Sequence, residues 1–285
     1  MKRRLPLLLV VLLLNGCTGL LFQPMKTLLR TPADIGLDYQ DVHFSSSDGI
    51  RLHGWFLPAK DGADQARGTV LLLHGNAENI STHIGSVYWL PGRGFNVFLF
   101  DYRGYGQSQG TAYLQGAMRD IAAALSWLLA NPDIDNSRIA VLGQSLGGAM
   151  GSYVFVHSGQ AQAIRALILD SVFSDYRQIA REKLSGFWLT WPLQYPLSWL
   201  INNDYAPIES IGLYSPTPVL IIQGEADNIV PPHHAKALFD QARPPKDLWL
   251  IPGARHISAL NQPTVRDRLV DYLGKLFGYS KNNEP

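Results

Sequence analysis

Apolar residues fall in two rhythms along the chain. The runs "GTVLLLHG" (68–75), "FNVFLFD" (95–101), "RIAVLG" (138–143), "IRALILD" (164–170), "TPVLIIQG" (217–224) and "DLWLIPG" (247–253) are short and nearly continuous. They read as strands buried on both faces. Between them lie helical stretches around 81–91, 114–130, 146–157 and 233–242, with a last one at 258–277. Strand alternating with helix predicts a doubly wound, mostly parallel sheet covered by helices on both faces. Upstream, "YQDVHFSSSDGIRLHGWFLPA" alternates on either side of Ser47-Asp48-Gly49. Asp-Gly between such runs predicts a hairpin, hence an antiparallel N-terminal edge.

One stretch breaks the alternation. Residues 175–205 are too long for a plain crossover and hold Phe187, Trp188, Trp191, Tyr195 and Trp199. They predict a short helical cap over the strand ends. Its tryptophans suit either an apolar or aromatic substrate group or simple packing of the cap onto the body.

The first residues follow another pattern. Lys2, Arg3 and Arg4 precede an apolar run from Leu5 to Leu14, which is followed by "NGC". Ten helical residues reach about 15 Å, half of a bilayer core, so the run is a signal segment rather than a span. "LLNGC" resembles the lipobox of bacterial lipoproteins. That resemblance implies cleavage after Gly16, lipid on Cys17, and a mature chain starting there. Asn15 departs from its usual occupant, and an ordinary secretory signal is the alternative. Thr18 rather than aspartate after the cysteine implies the outer membrane, facing the periplasm, over inner-membrane retention. Cys17 is the sole cysteine, so no intramolecular disulfide competes for its thiol. The expected division is a signal peptide over 1–16, a lipidated tether over 17–39, one catalytic domain over 40–277 and a polar tail over 278–285.

Composition narrows the partners. Twenty-four Lys and Arg against 23 Asp and Glu leave a net charge of +1, which gives no footing for nucleic acid. The membrane, reached through the anchor, and a small acyl substrate are the partners expected. No protein partner is implied.

The chemistry starts at "VLGQSLGGAM" (141–150). Gly143-Gln144-Ser145-Leu146-Gly147 is G-x-S-x-G between a strand and a helix. Glycine at the start of a helix costs about 1 kcal/mol relative to alanine, so it needs a reason. The reason is a turn so sharp that side chains at its flanks would collide. Such a turn lifts the Ser145 hydroxyl above the sheet and aims the N–H of Leu146 at the same spot. A hydroxyl needs a base, and the base an orienting acid. Downstream, Asp227 in "QGEADNIVP" and His256 in "PGARHIS" each follow a strand. Both fall at the edge where open α/β sheets bind ligands. Glu225, two residues earlier, is the weaker acid candidate. "LLLHGNAEN" (71–79) offers a second oxyanion donor, the N–H of Asn76 or of Ala77, with Asn76 preferred. His74 reads as structural. Arg103, in "DYRGYGQSQG" (101–110), is expected to pin loops through a carboxylate. His233 and His234 read as surface residues, because adjacent helical histidines do not face one point. No metal site is expected.

Together, "HGNAEN", "DYRGYGQSQG", "GQSLGG", "GEADNIVP" and "GARH" resemble the α/β-hydrolase superfamily over roughly 40–277, and most of all its serine aminopeptidase-like branch. The resemblance implies the α/β-hydrolase fold, a serine hydrolase acting on esters, thioesters or amides, and no cofactor. One departure is Gln223 in "IIQG", where relatives often carry histidine. It is expected to leave the chemistry alone. The alternatives are a peptidase of the aminopeptidase type and a non-catalytic envelope lipoprotein on the same fold. A dehalogenase-like reaction needs a carboxylate where Ser145 stands.

Overall fold

The computed structural model describes residues 21–186 and 188–278, and the apolar runs are its strands. In chain order these are β1 (Gln23–Pro24), β2 (Gln40–Ser45), β3 (Arg51–Leu57), β4 (Gly68–Leu73), β5 (Ala77–Glu78), β6 (Phe95–Asp101), β7 (Ile139–Gln144), β8 (Ala166–Asp170), β9 (Val219–Gly224) and β10 (Lys246–Ile251). Eight form one sheet in the order β10-β9-β8-β7-β4-β6-β3-β2. Strand β3 runs antiparallel to β2 and β6, and every other pairing in the sheet is parallel. The α/β-hydrolase fold with an N-terminal antiparallel hairpin is therefore present. The signal segment 1–16, Cys17 and residues 279–285 of the tail lie outside the described residues.

The period of two along each strand splits the core into two layers. Leu71, Leu73, Phe98, Val141, Leu169 and Ile221 face the helices Leu114–Ala130 and Leu146–His157. Their neighbours Val70, Leu72, Val97, Leu99, Leu142 and Ile168 face the helix Pro263–Leu276. This is why the central runs are apolar throughout: each has two dry faces.

Two expected helices come out broken. The stretch 81–91 holds only one turn, Ile80–His83, followed by 3-10 turns Ile84–Ser86 and Pro91–Arg93. Gly85, Pro91 and Gly92 interrupt propagation there. The last helix starts at Pro263, after a separate 3-10 turn Ala259–Asn261, because proline suits the first helical position.

The segment expected as a tether is folded onto the body from Leu21 onward. Strand β1 pairs in parallel with β5. The Asn79 amide donates to the carbonyls of Met25 and Thr27. Phe22 is buried edge-on against Tyr105. Any free tether thus ends by residue 20.

Between β8 and β9 the cap carries helices Tyr176–Ser185 and Gln194–Trp199, with a 3-10 turn Trp191–Leu193. Asp175 caps the first helix by accepting from the Gln178 N–H at 2.6 Å. Asn203 closes the base of the cap, donating to Asp175 and accepting from the Tyr176 N–H. Among the described residues no helix is long and apolar enough to cross a membrane.

Candidate active site

The turn after β7 is as tight as its glycines suggest. A methyl on Gly143 would sit 2.4 Å from the Gly148 Cα, and one on Gly147 would sit 2.3 Å from the His74 carbonyl oxygen. Strand and helix cross where no side chain fits. Ser145 takes φ +49°, a left-handed conformation that only surrounding structure can hold in a residue with a Cβ. Its N–H donates to the Asp170 carbonyl at 3.0 Å, which ties the elbow to β8.

Parallel register brings the other candidates to the same edge. Strands β7, β9 and β10 share one direction, so Ser145, Asp227 and His256 all leave the sheet at its C-terminal side. Nδ1 of His256 lies 2.8 Å from Oδ2 of Asp227. Oδ1 of Asp227 accepts the N–H groups of Ile229 and Val230 at 2.8 and 2.9 Å. Burial pushes the Asp227 carboxyl up, but the His256 hydrogen bond and charge with these two N–H groups outweigh it and hold it below the usual carboxylate range. A carboxylate at Oδ2 makes His256 Nδ1 the donor and leaves Nε2 with a lone pair. Glu225 is exposed and takes no part in this arrangement.

The histidine loop is pinned beside the elbow. The Ile257 N–H donates to Ser171 Oγ at 3.0 Å, and Ile257 and Ser171 both have positive φ, +46° and +57°. Asp170 anchors Ser145 and the next residue anchors the loop carrying His256. Two adjacent residues of one strand end thus position both groups.

Gln223 departs from expectation. Its Nε2 donates to Asp227 Oδ2 at 3.2 Å and to the Val230 carbonyl at 3.0 Å. The residue that was expected to leave the chemistry alone is a direct support of the acid. Its place one step before Gly224, facing the loop that returns to Val230, is a tertiary relationship that strand periodicity does not encode.

Leu146 and Asn76 line one cavity with Ser145. The Asn76 loop is held from behind: its carbonyl accepts from the Gln23 N–H at 2.8 Å and from the Tyr105 hydroxyl. Ala77 sits in the β1–β5 pairing and is not on the cavity wall. His74 is buried, with Nδ1 donating to the Gly75 carbonyl at 2.7 Å, as a structural histidine would. Arg103 is also buried and grips Asp120 and Asp48, with contacts of 2.7 and 2.8 Å.

His234 corrects the surface reading, while His233 is exposed as expected. His234 is fully buried. Both imidazoles converge on Glu182 of the cap, at 2.9 and 3.1 Å. Adjacent helical side chains do diverge, but these sit at the start of the helix His233–Gln241, and the forked carboxylate reaches both. The trio is the one group among the described residues with a spacing suited to a metal. Its hydrogen bonds argue for another use. The Ser174 N–H donates into His234 Nδ1, so the ring proton sits on Nε2 and points at Glu182. The lone pair a metal needs at that nitrogen is absent, and the trio fastens cap to body.

The cavity above Ser145 measures about 480 Å³. Phe173, Ile179, Leu184, Leu197 and Ile201 form much of its wall, and among the described residues Lys183 is its one charged lining residue. The cap tryptophans fit neither expected role. Trp191 and Trp199 are 60% and 69% exposed and lie outside the cavity, and the cap lines the site with aliphatic side chains instead.

Comparison with known proteins places this geometry. Residues 81–280 match the model of the prolyl oligopeptidase family, where the motifs had pointed to the serine aminopeptidase-like branch. The uncharacterized protein YfhR of Escherichia coli K12 is 39% identical over 238 residues, which are 82% of this chain and 80% of YfhR. The α/β-hydrolase domain-containing protein WAV2 of Arabidopsis thaliana is 36% identical over 74% of this chain and 69% of its own length. A solved esterase from Pyrococcus furiosus superposes with a TM-score of 0.71 at 21% identity, covering 90% of this chain and 97% of that one. The chain is a hydrolase of the α/β-hydrolase fold and belongs to the prolyl oligopeptidase family.

Proposed function

We propose that the protein is a serine hydrolase that cleaves esters of apolar acyl groups through an acyl-enzyme. The observation that carries this reading is the His256–Asp227 hydrogen bond at the sheet edge where Ser145 opens into an apolar cavity. Ser145 Oγ attacks the ester carbonyl while His256 Nε2 takes its proton. The oxygen that becomes negative is received by the N–H groups of Leu146 and Asn76. Collapse breaks the bond to the alcohol, which leaves with the proton from His256. Water then attacks the acyl-serine by the same route, releasing the acid and restoring the hydroxyl. Asp227 keeps the imidazole in the required tautomer and stabilises its charged form. One oxyanion donor contributes about 3–4 kcal/mol to such a barrier.

The lining favours an acyl hydrolase over an aminopeptidase. A peptidase that reads a free amino terminus needs a carboxylate to receive the ammonium, whereas the charge in this lining is Lys183. Thioesters and uncharged apolar amides fit the same site. Cys17, by its lipobox resemblance, supports anchoring in the cell envelope, with the catalytic domain facing the periplasm from the outer membrane.

The test is labelling by a fluorophosphonate probe with turnover of p-nitrophenyl esters of increasing chain length. The native chain labels and turns over, and Ser145→Ala abolishes both while its melting temperature is kept. Labelling that persists in Ser145→Ala refutes the assignment. Incorporation of an alkynyl fatty acid, lost in Cys17→Ser, tests the anchor separately.

A further inference from the structure

The cap ends in a long stretch without charge. Residues 184–203 contain no Asp, Glu, Lys or Arg. Leu189, Trp191, Leu193, Tyr195, Trp199 and Leu200 of this stretch are nonetheless exposed. Single exposed apolar residues need no explanation, but a run of them on one small element does. Tryptophan and tyrosine with few charges beside them are the composition of a membrane–water interface, where an amphipathic ring settles at headgroup level. The preceding cap helix carries Arg177, Arg181 and Lys183, cations of the kind that flank such surfaces, and the Arg181 guanidinium lies 5.2 Å over the Tyr195 ring.

Two observations tie this face to the site. Leu200 belongs both to the exposed face and to the cavity wall, so the face reaches the cavity mouth. Leu21 lines the same cavity, and Cys17 stands four residues before it. Four extended residues span at most about 14 Å. A lipid on Cys17 would therefore hold a bilayer within that distance of the cavity.

We propose that the aromatic face of the cap rests in the bilayer interface and opens the acyl cavity toward it, so that the substrate is an acyl ester drawn from the membrane rather than from bulk water. This rests on the ester-hydrolase and Cys17 readings above. The occupant of the face is the lipid surface, and a second copy of the chain is the competing one.

The experiment uses the full-length protein isolated from membranes and reconstituted in phosphatidylcholine vesicles with brominated acyl chains, beside Trp191→Ser/Trp199→Ser. Neither tryptophan lines the cavity. Bromine quenches only tryptophans that reach the acyl region, and the chain has seven. Wild-type emission is expected to fall relative to unbrominated vesicles, and the double variant to lose part of that fall, since Trp188 of the same stretch is also exposed. Hydrolysis of soluble p-nitrophenyl butyrate should be equal in the two proteins. Hydrolysis of a long-chain ester dissolved in the vesicles should drop about tenfold in the variant, the scale of losing two interfacial contacts. Cosedimentation without quenching shows that the anchor holds while the cap stays clear of the bilayer, and overturns the proposal. So does a concentration-dependent dimer that the double variant abolishes. A wild type that is quenched but inert toward the soluble ester fails the hydrolase reading instead.

Discussion

His256 Nδ1 and Asp227 Oδ2 lie 2.8 Å apart, and the other Asp227 oxygen is occupied by two backbone N–H groups. The division of labour separates chemistry from folding. In Asp227→Asn the remaining oxygen can still take the Ile229 and Val230 N–H groups, so the loop is kept. The amide presents a donor to Nδ1 and reverses the tautomer. Turnover of p-nitrophenyl esters should fall about 10⁴-fold, with the melting temperature at neutral pH lowered by only a few degrees. Because the folded-state acid lies below its ordinary range, its stabilisation is present above that range and lost as pH falls through it. The variant should therefore lose part of the wild type's acid-side decline in melting temperature.

Gly147 tests the elbow. Alanine would gain about 1 kcal/mol of helix propensity. Against that, its methyl would meet the carbonyl oxygens of His74 and Leu73 at 2.3 and 2.4 Å, both backbone and unable to rotate away. Overpacking of this kind costs about 1–3 kcal/mol and moves the end of β4, which leads into the Asn76 loop. Gly147→Ala should melt lower and lose about 100-fold or more in kcat, since a displacement near 1 Å suffices for that. Gly85→Ala, with no atom within 4 Å of the added methyl, is the control and should match the wild type in both.

Arg103 is a stability residue with no place in the chemistry. It is buried against Asp120, which is fully buried too, and it also reaches Asp48. Arg103→Met strands the Asp120 carboxylate away from water, which typically costs about 3–5 kcal/mol. Urea denaturation should show that loss, and Arg103→Met/Asp120→Leu should recover part of it, because the second change removes the uncompensated charge.

Much of this fold and site was legible because it rests on local rules. Continuous apolar runs marked strands with two dry faces, and G-x-S-x-G marked the elbow because only glycine permits that crossing. The placing of Asp227 and His256 at one sheet edge was legible from their positions just beyond strand ends. What escaped was long-range. Gln223 supports Asp227 through a loop return, and Glu182 reaches His233 and His234 across about 50 positions of sequence. Neither contact leaves a period in the chain. The cap tryptophans escaped for a different reason: an apolar side chain reads as buried, and nothing local says which apolar residues face outward.

Asp101 offers a pH test independent of catalysis. It is fully buried at the end of β6. Burial pushes its carboxyl up to about 8, against the pull of the Ile80 N–H and the charge of Lys26. The neighbouring His74 donates from Nδ1 to Gly75 and turns the lone pair of Nε2 toward Asp101 Oδ1, 3.6 Å away. A protonated Asp101 complements that lone pair, and an ionised one does not. In the unfolded chain the same carboxyl has its ordinary value of 3.8. Between the two values the folded state holds a proton that the unfolded state has released. The contribution of Asp101 to the free energy of unfolding falls as pH rises through this window and levels off above about 8. His74, held neutral by burial, contributes the opposite slope below the ordinary histidine range, and does so in wild type and variant alike. Asp101→Asn keeps Oδ1 as the acceptor for the Ile80 N–H and does not titrate. The difference in melting temperature between variant and wild type should therefore grow in the variant's favour from about pH 5 to about pH 8. Parallel melting curves across that range would mean that Asp101 is ionised in the folded protein.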